Sequence, residues 1–326
     1  MDSADLVGVD IGGTKTRVRI RFDGGATDDF TTMTADWRPV EQRRDPLALL
    51  RLITEHAAVS TRTVVAVGAH GCDTRAQCAD FAADLADASP ASFVVVNDAE
   101  LLVPAAGLRH GIGLVLGTGS IVVGKDADGS LLSAGGWGWV LGDPGSAPAL
   151  VREAARAVLG AADRGDRVDP LGNGLCVAYG VDTPLQLAYQ LTAARRITDW
   201  ARAAPVVFES ARQGSRLAAQ VLRAQADELV QQVLDLRGRG AQGERVVIGG
   251  GVAAGQPAFA EAIGRQLTDR AGLSATVLAG PPVDGAMALA QRLRAGDTAD
   301  PTSSAGATGM VGRSTKEATH HESDRR

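Results

Sequence analysis

The sequence has few of the residues from which disulfide frameworks and metal clusters are built. Its 326 residues include three cysteines, Cys72, Cys78 and Cys176, and no pair of them has the CxxC spacing of a metal site. Small secreted domains and structural zinc modules depend on several closely spaced cysteines. The sequence therefore argues against both classes.

Long apolar runs and long basic runs are also missing. No stretch approaches the roughly 20 apolar residues that a transmembrane helix needs, and the formal net charge is -5. Since nucleic-acid binding depends on clustered Lys and Arg, we expect neither a membrane span nor a nucleic-acid partner. The acidic start, "MDSADLVGVD", resembles neither a secretory leader nor a transit peptide, which favours a cytoplasmic location.

A unit of strand, glycine turn and strand occurs twice in the chain, as "VGVDIGGTKTRVRI" and as "GIGLVLGTGSIVVG". Strand and helix patterns alternate around these units, and the chain is long enough for two cores. We predict two related α/β domains, each beginning with its own glycine hairpin, that bind one ligand between them. The predicted boundaries are 1–108, completed by a last helix at about 282–295, then 109–281 with a helical insertion, and a disordered tail at 297–326.

The first hairpin, "DIGGTKT", has the composition of a phosphate-binding turn. Gly12 and Gly13 allow a sharp turn whose amides form an anion-binding concavity, and Thr14 and Lys15 add a hydroxyl and an ammonium group. Asp10 would repel a phosphate unless a divalent cation lay between them, which indicates Mg²⁺. The GxxxxGK[ST] spacing of a Walker loop is absent. The alternative is an ordinary type I′ hairpin with a charged tip.

Two further glycine clusters could complete a nucleotide site. "LGTGS" offers exposed amides and hydroxyls without charge, so we expect a second phosphate turn there. "VVIGGGVA" lacks the GxGxxG order of a dinucleotide fold, and its adjacent glycines would let a base and ribose lie against the backbone. The residues concerned are Gly117, Thr118, Gly119 and Ser120 in the first cluster, and Gly249, Gly250 and Gly251 in the second.

The stretch "VVVNDAEL" places Asn97 and Asp98 at the carboxyl end of a strand that we predict to be parallel. In open α/β sheets this end faces the ligand crevice. Asp98 is therefore a candidate catalytic carboxylate. The alternative is that Asp98 caps the helix that follows, a common role worth roughly 1 kcal/mol.

The glycine-rich stretch "GGWGWVLGDPGSA" contains two of the four tryptophans in a sequence with only 4% aromatic residues. The rings of Trp137 and Trp139 could fill the base of a turn whose glycines merely permit positive φ. They could equally cover the apolar face of a polar ligand. The residues alone leave both interpretations open.

In this order, "DIGGTKT", "NDA", "GTGS", "GGWGWVLGDPGSA" and "IGGGV" resemble the N-acetylglucosamine kinase group of the BadF/BadG/BcrA/BcrD-type ATPases, in the sugar-kinase branch of the actin/hexokinase/heat-shock ATPase superfamily. The resemblance runs from about Leu6 to Leu293. It implies two ribonuclease-H-like domains with a nucleotide cleft between them, ATP and Mg²⁺ as cofactors, and Asp98 as general base. It also implies a substrate-binding set of Asn97, Thr118, Ser120, Gly136, Trp137 and Asp143, with the phosphates held by Gly12 to Lys15 and Gly117 to Gly119.

The sequence departs from this family pattern at two places. Pro144 stands where the family usually has an acidic residue, and no asparagine lies between Gly24 and Asp45, where relatives contact the N-acetyl group. The expected activity is phosphorylation of an amino sugar, N-acetylglucosamine or glucosamine. Another hexose or a cyclitol, a dehydratase-activating ATPase and a non-catalytic sugar sensor remain alternatives. A homodimer is expected from the resemblance and from the apolar helical stretch between Thr183 and Asp235.

Overall fold

The computed structural model describes residues 2–38 and 45–297 of the chain. The predicted disordered tail lies outside the described residues apart from Asp297. Within the described ranges the chain forms two five-stranded sheets with helices packed around them.

The first sheet is formed by the N-terminal third of the chain. Its strands are β1 Ala4–Ile11, β2 Lys15–Phe22, β3 Thr27–Met33, β4 Val64–Ala69 and β5 Ser92–Val96. Their order is β3–β2–β1–β4–β5, in which β2 is antiparallel to both β1 and β3, and β4 and β5 are parallel to β1. All six residues of β4 are buried, as expected for a central parallel strand covered on both faces.

The second sheet repeats this arrangement. Its strands are β6 Ile112–Leu116, β7 Ser120–Lys125, β8 Leu131–Gly135, β9 Arg245–Gly249 and β10 Ser274–Val277. The order β8–β7–β6–β9–β10 again joins an antiparallel three-stranded unit to two parallel strands. The predicted duplication of a glycine hairpin in two related domains is therefore confirmed.

Among the described residues, no helix combines the length and apolar character needed to cross a membrane. The helices are α1 Thr34–Trp37, α2 Pro46–Thr54, α3 Arg75–Ala88, α4 Leu102–Ala105, α5 Ala147–Asp163, α6 Pro170–Tyr179, α7 Pro184–Ala193, α8 Ile197–Ala201, α9 Ala204–Arg212, α10 Arg216–Gly238, α11 Gly251–Gly255, α12 Pro257–Ala271 and α13 Val283–Arg294. A 3-10 helix, Asp98–Leu101, precedes α4 directly.

Helices cover both faces of the first sheet. On one face α2 and α3 contribute Leu49 and Phe81 to the core, and on the other α13 contributes Ala286 and Ala290. The second sheet packs one face against α10 and α12. We propose the boundaries predicted above for the two domains, and the packing of α13 on the first sheet supports that division.

The stretch from Thr183 to Asp235 is four helices, α7 to α10, rather than one long helical region. The chain turns between them, and Thr183 and Ser215 cap the helices that follow. The apolar side chains of α7, α9 and the start of α10 pack with α5 and α6 in a core of their own, in which Leu187 and Val207 are fully buried. The rest of α10, including Leu229 and Val233, packs on the second sheet. The apolar stripe is therefore used within one chain, and the homodimer stays a prediction.

Candidate active site between the two domains

The 3-10 helix and α4 together form a short segment, Asp98–Ala105, that we call the interdomain helix because it lies between the two sheets. Glycines in both sheets make room for it. A Cβ atom on Gly68 of the first sheet would lie 2.3 Å from the Leu101 side chain. One on Gly249 of the second would lie 2.5 Å from the side chain of Leu102. The close packing fixes Asp98, the first residue of this helix, at the boundary of the domains.

Asn97, not Asp98, caps the interdomain helix. The Asn97 carboxamide oxygen accepts from the amide of Ala99 at 3.0 Å, and the backbone amide of Asn97 donates to Glu100 at 3.1 Å. The capping interpretation of Asp98 is therefore wrong, because Asn97 has the extended backbone that a cap requires. Asn97 is also buried and donates to the Cys72 carbonyl at 3.1 Å, a geometry that gives no support to its predicted substrate contact.

The Asp98 carboxylate faces two ionisable groups of the first domain. Its Oδ2 lies 3.7 Å from Nδ1 of His70, an ion-pair distance longer than a hydrogen bond. It also acts on Asp10, at the carboxyl end of β1. Burial first, and the negative charge of Asp98 second, raise the pKa of Asp10 to about 7, while Arg17 opposes the shift. Two acidic groups thus lie close together where β1 and β5 end.

The Asp10 carboxylate fits a divalent cation bound together with a nucleotide. Among the described residues no group of three or more His, Cys, Asp or Glu side chains could hold a metal ion alone. Mg²⁺ usually takes one or two protein carboxylates and completes its octahedron with water and phosphate oxygens. A cation beside Asp10 would also favour the ionised carboxylate against the effect of burial. The residues present therefore suit a shared protein and nucleotide site.

The first glycine hairpin, residues 12–15, is a tight turn closed by a hydrogen bond from the Gly12 amide to the Lys15 carbonyl at 3.0 Å. Neither Gly13 nor Thr14, the two central residues, has a positive φ, so the turn is not type I′, and an ordinary hairpin of another type stays the alternative. Gly13, Thr14 and Lys15 are exposed. A Cβ atom on Gly13 would lie 3.5 Å from Nε2 of His70. The turn thus lies next to the imidazole ring, at a distance where a Cβ atom would make an ordinary contact.

The second glycine hairpin, residues 117–120, is closed by the bond from the Gly117 amide to the Gly119 carbonyl at 2.9 Å. Thr118 is exposed at its tip. The hydroxyl of Ser120 is buried and donates to the Pro144 carbonyl at 2.7 Å. Ser120 therefore anchors the loop that follows β8, and its hydroxyl is already engaged.

The glycine cluster after β9 lies next to the second hairpin. A Cβ atom on Gly117 would lie 3.7 Å from the amide nitrogen of Gly251. Gly250 has φ +107° and approaches the Leu116 carbonyl so closely that a Cβ would lie 2.4 Å from its oxygen. Only glycine fits there. The structure thus brings together the two glycine clusters of the second domain that the sequence assigned to one nucleotide.

The tryptophan loop, residues 135–147, has several positive φ angles, including 54° at Asp143, the one non-glycine residue with positive φ among those described. Trp137 is 76% exposed, which excludes the core-filling interpretation for that ring. Trp139 instead packs on Trp200, with ring centroids 5.0 Å apart. The two tryptophans therefore differ in role, and the one left open to solvent is Trp137.

Asp143 is buried and lies against the second hairpin. Its Oδ1 accepts from the amide of Gly138 at 3.1 Å, and a Cβ on Gly119 would lie 3.3 Å from its Oδ2. Burial raises the pKa of Asp143, whereas hydrogen bonds from Gly138 and Ser120 oppose the shift, as do the more distant charges of Arg152 and His70. The charge of His70, in the first domain, thus acts on Asp143 in the second.

His70 is a site residue that the sequence analysis above does not name. The rule applied to Asp98 could have found it, because His70 directly follows β4, a parallel strand between β1 and β5. Its neighbours Asp10 and Asp98 lie at the same edge of the sheet, where β1 and β5 end.

The two sheets have the same strand order, and each contains a glycine hairpin. Together they define a two-domain actin-like ATPase fold. The chain belongs to the BadF/BadG/BcrA/BcrD ATPase family, whose sequence model matches residues 7–287.

Similar solved structures support this placement. A candidate N-acetylglucosamine kinase from Chromobacterium violaceum is 26% identical, with a TM-score of 0.67 over 89% of this chain and 99% of that chain. A candidate N-acetylglucosamine kinase from Porphyromonas gingivalis shares the fold at 18% identity, with a TM-score of 0.62 over 90% of this chain and 99% of that chain.

A curated relative matches a shorter part of the sequence. The N-acetylmuramic acid/N-acetylglucosamine kinase of Clostridium acetobutylicum is 41% identical over 73 residues. The match spans 22% of this chain and 24% of the relative. It therefore indicates homology over one segment and does not by itself assign the activity.

Proposed function

We propose that the chain is an ATP-dependent kinase that phosphorylates a hydroxyl group of a sugar-type molecule, with an amino sugar as the expected substrate. One observation carries the proposal. Asp98 is free of the capping role, lies at the domain boundary beside the first hairpin, and has His70 as an ion-pair partner. The family membership and the names of the relatives above support the same reaction class.

The proposed reaction uses both hairpins as phosphate clamps. The exposed amides of residues 12–15, with the Lys15 ammonium group, and those of residues 117–119 would hold the ATP phosphates, and Gly249–Gly251 would lie against the adenosine. A divalent cation bound with the nucleotide at Asp10 would neutralise phosphate charge. Asp98 would accept the proton of the substrate hydroxyl. The hydroxyl oxygen would bond to the γ-phosphorus of ATP as the bond between that phosphorus and ADP breaks.

We assign the substrate side to the tryptophan loop. Gly136, the exposed Trp137 ring and Asp143 would form the wall that contacts the sugar, next to Thr118 of the second hairpin. Relatives named for N-acetylglucosamine and N-acetylmuramic acid favour an amino sugar. No asparagine occurs anywhere between Gly24 and Asp45. We therefore keep glucosamine, another hexose and a cyclitol beside N-acetylglucosamine as candidate substrates.

The position of the cysteines opposes the dehydratase-activator alternative. Such an activator holds an iron–sulfur cluster between subunits through cysteines at its surface. All three cysteines here are buried, Cys72 and Cys78 in the core of the first sheet and Cys176 in the core of the helical insertion. Two features oppose a non-catalytic sensor. The first hairpin is intact, and the carboxylate of Asp98 is not used as the helix cap.

The test is ADP release with a panel of sugars and cyclitols, followed by Asp98→Asn with the best substrate. Because Asn97 provides the cap, the variant should fold normally and bind ATP. Phosphoryl transfer should fall by at least ~100-fold, as expected on loss of a general base. Asp84→Asn, which removes an exposed carboxylate of α3 in the same domain, is the matched control and should behave as wild type.

Two results would overturn the proposal. Absence of stimulated ADP release by any polyol would remove the kinase function itself. Near-normal turnover in Asp98→Asn would remove Asp98 as the base and direct attention to Asp143.

A further inference from the structure

The imidazole ring of His70 bridges two parts of the candidate site. Its backbone amide donates to the Ile11 carbonyl at 2.8 Å, which extends the parallel β1–β4 pairing by one residue and fixes the start of the side chain. Nδ1 lies 3.7 Å from Oδ2 of Asp98. The opposite nitrogen, Nε2, faces Gly13 of the first hairpin, 3.5 Å from where a Cβ atom would be. The ring therefore lies between the carboxylate and the first hairpin, with its side chain 47% exposed.

The charges around His70 favour its protonated form. The carboxylate of Asp98 is the main cause that raises the pKa of His70, whereas burial lowers it. Arg38, whose guanidinium donates to the His70 carbonyl at 3.3 Å, also lowers it, and Asp73 raises it. A positively charged ring attracts the carboxylate oxygen that faces it.

The backbone of Asp98 is fixed by the cap, but its side chain can still rotate about Cα–Cβ. Asn97 and Glu100 hold the first turn of the interdomain helix through hydrogen bonds in which the Asp98 carboxylate takes no part. Small errors in the placement of a reacting group reduce rates strongly. A partner beside one carboxylate oxygen leaves the other oxygen for a substrate proton.

We propose that His70 is a positioning residue for phosphoryl transfer, which holds the Asp98 carboxylate in its reactive orientation against the first hairpin. The proposal rests on the proposed function, because it assigns to His70 a role that acts through the base. It predicts that the effect of His70 on the rate disappears when Asp98 has no carboxylate.

The experiment compares His70→Ala, His70→Asn and His70→Gln in the wild-type and Asp98→Asn backgrounds. His70→Ala should lower kcat by about 10- to 100-fold with KM for ATP and sugar within about 3-fold. His70→Asn should recover more activity than His70→Gln, because an asparagine amide nitrogen falls near the position of Nδ1 and a glutamine nitrogen near Nε2. In the Asp98→Asn background, His70→Ala should change the residual rate by less than about 2-fold.

The control is His56→Ala in the same domain. His56 stacks on Phe30 and pairs with Asp28 at 3.1 Å, both on the edge strand β3, and its loss should leave kcat unchanged. A second readout needs no activity. In an NMR titration of the imidazole resonances, the pKa of His70 should be above its ordinary value in the wild type and should fall in Asp98→Asn.

The outcomes separate this inference from the proposed function. A wild type that phosphorylates no polyol overturns the function and the inference with it. An active wild type overturns the inference alone if His70→Ala retains full kcat, if the losses in the double variant multiply, or if the pKa of His70 is the same in Asp98→Asn.

Discussion

The two glycine hairpins share one strand topology but differ in charge. The first is preceded by Asp10, ends at Lys15 and lies against His70. The second contains no ionisable residue between Gly117 and Ser120. Both are closed by one backbone hydrogen bond between a glycine amide and a residue two or three positions later. Duplication has thus kept the arrangement of strand, turn and strand, whereas the closure of the turn and the charges around it differ.

The difference suggests a division of work between the domains. In our proposal the first domain supplies the groups that neutralise or move charge, and the second supplies backbone amides and the loop that selects the substrate. The second hairpin is tied directly to that loop through the bond from Ser120 to Pro144. The variants below test this division by changing matched positions in the two hairpins and in the loop.

Asp10→Asn should give the largest effect. Removing a carboxylate that stabilises charge in the site should lower turnover with Mg²⁺ by at least ~100-fold. Stability should change in the opposite direction. Because burial raises the pKa of Asp10 to about 7, folding favours its protonated form, and this contribution is lost progressively as the pH rises from about 4 to about 7. At pH 8, without divalent cations, Asp10→Asn should raise the free energy of unfolding by about 1–3 kcal/mol.

Urea unfolding at several pH values measures this gain, which should shrink as the pH falls from 7 towards 4.

The matched change in the second hairpin is Ser120→Ala. It leaves the buried Pro144 carbonyl without its donor, so it should lower stability by about 1–3 kcal/mol and change turnover much less than Asp10→Asn. The proposed division fails if Ser120→Ala lowers turnover as strongly as Asp10→Asn.

Gly13→Val should have the next largest effect, on nucleotide affinity. The added side chain would meet the His70 ring or extend into the space where phosphates would bind. The affinity for ATP, measured by calorimetry, should fall by about 10-fold or more. Gly24→Ala is the control, because a Cβ atom there has no neighbour within 4 Å. Unchanged ATP affinity in a folded Gly13→Val protein would move the phosphate site elsewhere.

Trp137→Ala and Trp139→Ala should separate substrate binding from packing in the tryptophan loop. Trp137 is exposed, so its removal should change the free energy of unfolding by less than about 0.5 kcal/mol. It should raise KM for the sugar by about 3- to 10-fold. Trp139→Ala breaks the contact with Trp200 and should lower stability by about 1–3 kcal/mol. Equal effects of the two variants on KM and stability would show that the loop has no preferred ligand-facing ring.

The sequence predicted the parts of the fold that depend on local pattern. The two hairpins follow from glycines between apolar runs, and Asp98 follows from the end of a buried strand. Strand β3, Thr27–Met33, escaped prediction because an edge strand with polar residues lacks a clear apolar alternation. The long helical stretch after Thr183 is divided by turns whose positions its apolar residues alone did not indicate.

The rest of the site depends on contacts between distant residues. Whether Asn97 or Asp98 caps the helix is decided by backbone angles at the end of β5, and adjacent capping-type residues leave that choice open in a sequence. His70 and Asp98 are 28 positions apart in the chain and meet only because β4 and β5 are parallel neighbours. Contacts of this kind become visible only in the folded chain.

The packing of α13 on the first sheet also has a consequence for the order in which the domains can fold during synthesis. The face of β1, β4 and β5 that packs against Ala286 and Ala290 stays uncovered until the ribosome has made almost all of the described chain. The second sheet is complete as soon as β10 has emerged, one helix earlier. The first domain is therefore synthesised first but completed last. Its apolar face stays exposed while the second domain forms its own core.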